Sequence, residues 1–415
     1  MIEGMEDWTF KDADTRRYTH IYHDYPARMI PQVAERLLAM YGSNARLLYD
    51  PYCGTGTSLV EAELKGIDAI GTDLNPLARL IAEAKTDPYI DPNSVSEHML
   101  RLDFEWSDLK PDIPKMKNID FWFKKEAAYS LGKIRNFLNN IENKHTKLFF
   151  EVAFSETVRE SSNTRKDEFK IFRYDDERLK AWNPDPLRIF KEKLRRNLEG
   201  LIEFRKEISA FGSPPHVSVF PYNSVNEIPN SDIPEGSADI IITSPPYGDS
   251  HTTVAYGQYS KFSSIWLGLT DRNIDKKLMG GSKAKSIDEF PSEVLNKAIS
   301  AVSNKNYERA LEVSSFYADL LSSIVNVSRV LKANGYACYV VANRTVASVI
   351  LPTSDAIRDF FESQGFAHIA TFVRDIPNKR MPLRNSPTNV SGETSSTMLK
   401  EHIIVMQKGK GLSCP

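Results

Sequence analysis

Cysteine is scarce: 415 residues contain three, Cys53, Cys338 and Cys414. Three thiols cannot all pair, and their spacing matches no metal-binding pattern. A disulfide scaffold is therefore not expected, nor a metal site, and a reducing compartment is. Long apolar runs are missing too, none reaching the ~18–20 residues of a membrane span. The N-terminal MIEGMEDWTF is acidic and has no apolar centre, which excludes a signal peptide and makes a cytoplasmic location the expectation. Neither sign of charge dominates. The formal net charge is −2, so the chain is not a globally basic binder of nucleic acid, and any contact with phosphates must come from local patches. There is no internal repeat and no low-complexity tract.

What remains is ordinary for a soluble globular chain, with 41% hydrophobic and 26% charged residues, and it is long enough for one large or two moderate domains. Three regions differ in pattern. In residues 1–87, a helix (QVAERLLAMY) precedes a short apolar run ending in Asp50. A glycine-rich turn, the helix TSLVEAELKG, the strand IDAIGTD and the helix NPLARLIAEAKT follow. That alternation begins a doubly wound α/β sheet. Residues 88–214 break it with several helix-like stretches and few strand signals, which reads as a helical insertion. Residues 215–415 resume the sheet with HVSVF and SADIIIT. A long helix is expected to stop at Asn334-Gly335, followed by the strand YACYVVAN, the helix SDAIRDFFESQG and the strands FAHIATFVRD and EHIIVMQK. The stretch 270–305, rich in Lys, Ser, Asp and Gly, reads as a mobile loop or a small polar excursion.

Two turns carry chemistry. In DPYCGTGTS, Gly54 and Gly56 permit a tight bend and close approach of a ligand to the backbone, over a helix N-terminus. The third glycine of a dinucleotide turn is absent, and Asp50-Pro51 stand before it. A carboxylate there repels a pyrophosphate but suits a cationic ligand. S-adenosylmethionine, with its ammonium and sulfonium, fits that requirement. Asp73, at the end of the second strand, can accept hydrogen bonds from ribose hydroxyls. Leu74 and Asn75 follow it and Thr57 starts the helix after the glycines; with Pro51 they are expected to contact the same cofactor. Cys53, inside the turn, reads as a small wall residue, and Cys338 as core.

The second turn is Ser244-Pro245-Pro246-Tyr247, after SADIIIT. Two prolines cannot continue a sheet, because neither has an N–H to donate. They can hold acceptors rigidly. An exocyclic base amine is a poor nucleophile until acceptors bond both its hydrogens and localise its lone pair. The Ser244 hydroxyl and the Pro245 carbonyl can do that. An exposed Tyr247 can stack on a base turned out of the duplex.

DPYCGTGTS, TDLNPLA and TSPPY together resemble the amino-methyltransferases of DNA, which modify cytosine N4 or adenine N6 using S-adenosylmethionine. HDYPARMIPQ (23–32) resembles their additional cofactor motif, which implies cofactor contacts from Tyr25, Pro26, Ala27 and Arg28. PYNSVNEI (221–228) resembles the segment where the family often has Asp-Ser. Asn223-Ser224 stand there instead. The resemblance implies a seven-stranded mixed sheet with an antiparallel last strand and the insertion as target-recognition region. It further implies double-stranded DNA as partner, with a cognate restriction endonuclease in the same system. Serine before Pro-Pro-Tyr is commoner in the cytosine-N4 members. The 5-methylcytosine enzymes use a cysteine preceded by proline, whereas Cys53 follows Tyr52.

Arg159, Arg165, Lys166, Lys170 and Arg173 are interleaved with Ser, Asn and aromatics in 157–173, a mix suited to phosphate and base-edge contacts. Arg380 and Arg384 lie in a basic loop expected to touch the DNA backbone near the base, and His251, Thr252 and Tyr256, after the proline turn, are expected to line the base pocket or the adjacent DNA path. Three other readings stay open on the sequence: an RNA base amino-methyltransferase, a catalytically silent recognition subunit and, for want of the third glycine the weakest, a nicotinamide oxidoreductase.

Overall fold

Runs rich in Val, Ile and Leu, apolar on both faces, form the strands of a sheet covered on both sides. In the computed structural model these are β1 (Leu47–Asp50), β2 (Asp68–Thr72), β3 (Val217–Phe220), β4 (Ala238–Thr243), β5 (Leu331–Val341), β6 (Phe366–Asp375) and β7 (Lys400–Lys408). The structure describes residues 7–166, 170–248, 256–269, 274–376, 384–385, 395–396 and 400–410. The strands lie in the order β3-β2-β1-β4-β5-β7-β6. β3, β2, β1, β4 and β5 pair in parallel, while β7 runs antiparallel between β5 and β6. The order reverses between β1 and β4, which places the switch point where the two turns of interest leave the sheet.

Period-two alternation sorts the sheet residues between two cores. Tyr49, Ile241, Tyr339 and Ile404 face the helices Glu293–Ser303, Tyr307–Val330 and Thr353–Ser363. Leu48, Ile240, Cys338 and Val405 face the helices Pro31–Tyr41 and Thr57–Glu63. From Pro92 to Ile208 the regular elements are helices, the longest being Lys144–Ser161 and Pro186–Ile208. Phe149, Phe154, Phe190 and Leu194 form a third core, which takes in Leu77 and Ile81 of helix Pro76–Lys85 and Phe262 and Trp266 of helix Tyr256–Leu267. The helical part is thus keyed to the sheet through the helix after β2 and the helix after the proline turn. Helix starts follow local chemistry: Asn75, Asp91 and Asp185 each cap a helix whose first residue is proline.

Two expectations are corrected. Within 270–305 the chain forms helix Glu293–Ser303, with Leu295, Ile299 and Val302 buried. The apolar residues recur at helical spacing, hidden by the polar residues between them. The long helix ends at Val330, earlier than Asn334-Gly335. That pair lies inside β5, with Asn334 at φ 65°, where the register with β4 shifts between Ala238 and Ile240. The turn signal there marks an irregularity in a strand rather than a helix stop. Among the described residues no helix is long and apolar enough to cross a membrane, and no cluster of His, Cys, Asp or Glu could hold a metal ion.

Candidate active site

A cleft of about 950 Å³, its open mouth included, lies over the carboxyl ends of β1, β2 and β4. The glycine turn forms its floor. Gly54 and Gly56 have φ of +50° and +75°, which β-carbon-bearing residues rarely adopt. A β-carbon on Gly54 would meet nothing within 4 Å and would project into open space, whereas one on Gly56 would press on Ala82 at 3.0 Å. Gly54 thus keeps room for a ligand and Gly56 lets two helices close. Gly56, as the N-cap of helix Thr57–Glu63, does not itself line the cleft.

Asp50 is 3% exposed and held by three donors. Its Oδ1 accepts from Thr243 Oγ1 at 2.6 Å and the Tyr52 amide at 3.0 Å, and its Oδ2 accepts from the Ser58 hydroxyl. Burial nonetheless pushes its pKa up to about 6, with the Ser58, Thr243 and Tyr52 donors opposing. Thr243 is the last residue of β4, so Asp50 ties the glycine turn to the proline turn. Asp73 accepts from the amides of Gly54 (3.1 Å) and Asn75 (2.7 Å), while Arg79 donates to the carbonyls of Asp73 and Leu74. Burial also holds the Asp73 carboxyl above its usual range, although the two amides and Arg79 pull it down.

The segment before the first long helix reaches the same cleft. Tyr25, Pro26, Ala27 and Arg28 line it. The Tyr25 hydroxyl accepts from Asn75 Nδ2 at 2.8 Å, and its ring stacks on Tyr256 with centroids 5.9 Å apart. Asn75 Nδ2 also donates to Ser260, which joins the glycine-turn side of the cleft to the helix after the proline turn. Pro51, Cys53, Thr57, Leu74, Asn223 and Ser224 line the cleft as well.

Ser244 and Pro246 complete the wall opposite the glycines. Pro245 and Tyr247 do not line it. Tyr247 is half-buried rather than exposed, its ring packed on the core and its hydroxyl bonded to Glu401 at 2.8 Å. Sequence reasoning passed over Tyr52, Tyr222, Met29 and Met279 in the wall. Tyr222 carries a positional signal, two residues after the end of β3, whereas Met29 and Met279 carry none.

Three of the five basic residues in 157–173 are engaged within the fold. The Arg159 guanidinium lies 3.9 Å over the Tyr259 ring. Lys166 donates to the carbonyls of Arg159 and Ser162, and burial brings its pKa down to about 7. Arg173 donates to the Phe121 carbonyl and pairs with Asp176. Arg165 and Lys170 are exposed. His251, Thr252 and Arg380 lie outside the described residues, and Arg384 belongs to the two-residue strand Arg384–Asn385.

The strand order, with an antiparallel seventh strand between the fifth and sixth, is that of the methyltransferase class. Over 427 aligned residues the chain is 39% identical to the type II methyltransferase M.MvaI of Kocuria varians, covering 96% of this chain and 93% of that one. It is 22% identical over 370 residues to the type II methyltransferase M.BsoBI of Geobacillus stearothermophilus, covering 81% and 69%. The chain belongs to the type II methyltransferase family. No protein-family model matches it. Among solved structures, the rRNA methyltransferase aviRa from Streptomyces viridochromogenes aligns over 93% of this chain and 89% of its own, with a TM-score of 0.37 and 10% identity. That score is low, and class and family rest on the topology and on the relatives.

Proposed function

We propose that this methyltransferase, site-specific on DNA as its family is, transfers the methyl group of S-adenosylmethionine to cytosine N4 of a base turned out of the duplex. The observation that carries the reading is that Ser244 and Pro246 face the same cleft as Gly54, Asp50 and Asp73. Donor and acceptor therefore meet within one cavity, as a direct displacement requires.

The cleft residues fit the cofactor. Gly54 leaves open space where a side chain would stand, and Thr55 Oγ1, also in the wall, is buried without a partner among the described residues. Asp73 retains lone pairs for ribose hydroxyls, and Asp50 offers negative charge to the cationic end. Tyr25, Asn75, Asn223 and Ser224 would close around the remainder. When bound, S-adenosylmethionine supplies an activated methyl group on a sulfonium. The chain's own task is to make the amine nucleophilic: Ser244 Oγ, in the cleft wall, accepts one of its hydrogens and draws the lone pair onto nitrogen, whereas Pro245, expected to offer a second acceptor, does not line the cleft. Ring-carbon methylation calls for a reactive thiolate, and burial pushes the pKa of both Cys53 and Cys338 up. Cytosine N4 is favoured over adenine N6 by the serine at 244, the commoner residue in the cytosine enzymes that the motif resembles.

Residues 88–214 are assigned to target recognition, with Arg165 and Lys170 on the phosphates. The counterpart in the cell is a restriction endonuclease of the same site. Expression in a host free of DNA modification, followed by single-molecule sequencing and mass analysis of the nucleosides, tests the reading. N4-methylcytosine at one short sequence is expected. N6-methyladenine would overturn the base assignment, and methylated RNA beside unmethylated DNA the substrate assignment.

A further inference from the structure

The proline turn is tied to the far side of the sheet. Ser244 Oγ donates to the Tyr247 hydroxyl oxygen at 3.2 Å, and that hydroxyl donates to Glu401 Oε1 at 2.8 Å. Glu401 Oε2 accepts from Arg374 Nη1 at 2.7 Å. Glu401 and Arg374 stand directly opposite each other on the antiparallel strands β7 and β6, and Arg374 is 5% exposed. Below the turn, a β-carbon on Gly248 would fall 1.7 Å from Arg344 Nη1, so that guanidinium packs flush against the turn's backbone.

The direction of this chain follows from the chemistry of its ends. A guanidinium only donates, and an ionised carboxylate only accepts. With Arg374 on one oxygen, Glu401 receives the Tyr247 proton on the other. The Tyr247 oxygen then has no proton to offer Ser244 and must accept one. The Ser244 proton is therefore committed away from the cleft, and its lone pairs are left facing it. A serine free to rotate would spend part of its time presenting a proton to the substrate amine, which is the wrong polarity for an acceptor.

We propose that Glu401, held by Arg374, is a positioning residue that sets the proton direction along Tyr247 and Ser244 and keeps Ser244 Oγ an acceptor for the exocyclic amine. The proposal rests on the reading of Ser244 given above. It gives Tyr247, whose ring packs on the core instead of lining the cleft, a polar role in place of the expected stacking on the base.

The test compares Glu401→Gln, Tyr247→Phe, their double variant and Ser244→Ala in single-turnover methylation of duplex DNA. Cofactor affinity, KM for DNA and thermal midpoint are measured alongside. A glutamine at 401 can donate to the Tyr247 oxygen and reverse the chain. Glu401→Gln is expected to lower the rate of the chemical step about 10- to 100-fold, the scale of one hydrogen bond to a charged group. Cofactor affinity and KM should stay within about twofold. Tyr247→Phe leaves the Glu401–Arg374 pair intact and should lose a similar factor. In that background Glu401→Gln should add less than about twofold, because the path to Ser244 is already cut. Full additivity, or a rate unchanged in Glu401→Gln while Ser244→Ala is crippled, would overturn the inference. A Ser244→Ala variant of undiminished rate would instead overturn the underlying reading of the serine. If Glu401→Gln fails to fold, Tyr247→Phe decides: a rate like that of the parent enzyme refutes the chain.

Discussion

The two turns that bound the cleft leave neighbouring strands of one sheet, yet they are built on opposite plans. After β1 the backbone bends through glycines at positive φ, and the acids beside it, Asp50 and Asp73, are gripped by donors from the turn, from β4 and from the next helix. After β4 the backbone is stiffened by two prolines, and its polar side chains are anchored on β6 and β7. The first is a cradle, shaped by what it leaves empty. The second is a bracket, shaped by what holds it from behind. Holding a ligand needs room and fixed charge, whereas activating an amine needs one acceptor in one orientation. Thr243 on Asp50 is where the two plans meet.

The largest break expected between the turns is in what each controls. Ser244→Ala should lower the methylation rate ~10²–10³-fold, the scale for one preorganised hydrogen-bonding group, with cofactor affinity nearly unchanged. Asp73→Ala should do the reverse. It removes the acceptor of two amides and of the ribose, and should weaken cofactor binding ~10- to 100-fold while sparing the rate at saturation. Calorimetric titration beside single-turnover rates separates the two. Variants that lose rate and affinity in equal measure would show the division to be false.

A smaller effect sharpens the cradle's side. Asp50 has a folded-state pKa of about 6. Its negative charge is present above that value and is lost as the pH falls through it, and a cationic ligand binds the ionised form. Cofactor affinity should therefore drop about tenfold between pH 7 and pH 5, and Asp50→Asn should flatten the profile. An affinity indifferent to pH across that window would show that Asp50 serves only to join β1 to β4.

The contrast also explains what sequence could and could not reveal. That Gly54, Asp50, Asp73 and Ser244 share one cleft was legible because backbone geometry and residue type at fixed spacing mark both turns. The alternation of strands and helices was legible for the same reason. Helix Glu293–Ser303 was not, because three buried residues set among lysines, serines and asparagine read as a polar loop. Glu401 and Arg374 were invisible: one lies 154 positions beyond Tyr247, and only strand pairing across β6 and β7 brings them to the turn. The basic stretch 157–173 misled by composition, since charge in a sequence does not say whether a guanidinium faces solvent or the Tyr259 ring.

The smallest effect concerns the surface away from both turns. Arg165→Ala should lower the slope of log affinity against log salt by about one, the share of a single phosphate contact, and leave the rate at saturating DNA unchanged. Lys166→Ala should not change that slope, because its ammonium is spent on the carbonyls of Arg159 and Ser162. Filter binding over a range of salt concentrations measures both.

β7 is the last of the seven strands in the chain, yet it is inserted between two that precede it. During synthesis every wall residue of the cleft leaves the ribosome before Glu401 does. The hydrogen bonds behind the proline turn are therefore the last of the cleft's supports to become available. On the proposed role of Glu401, methyl transfer has to wait until β7 has taken its place between β5 and β6.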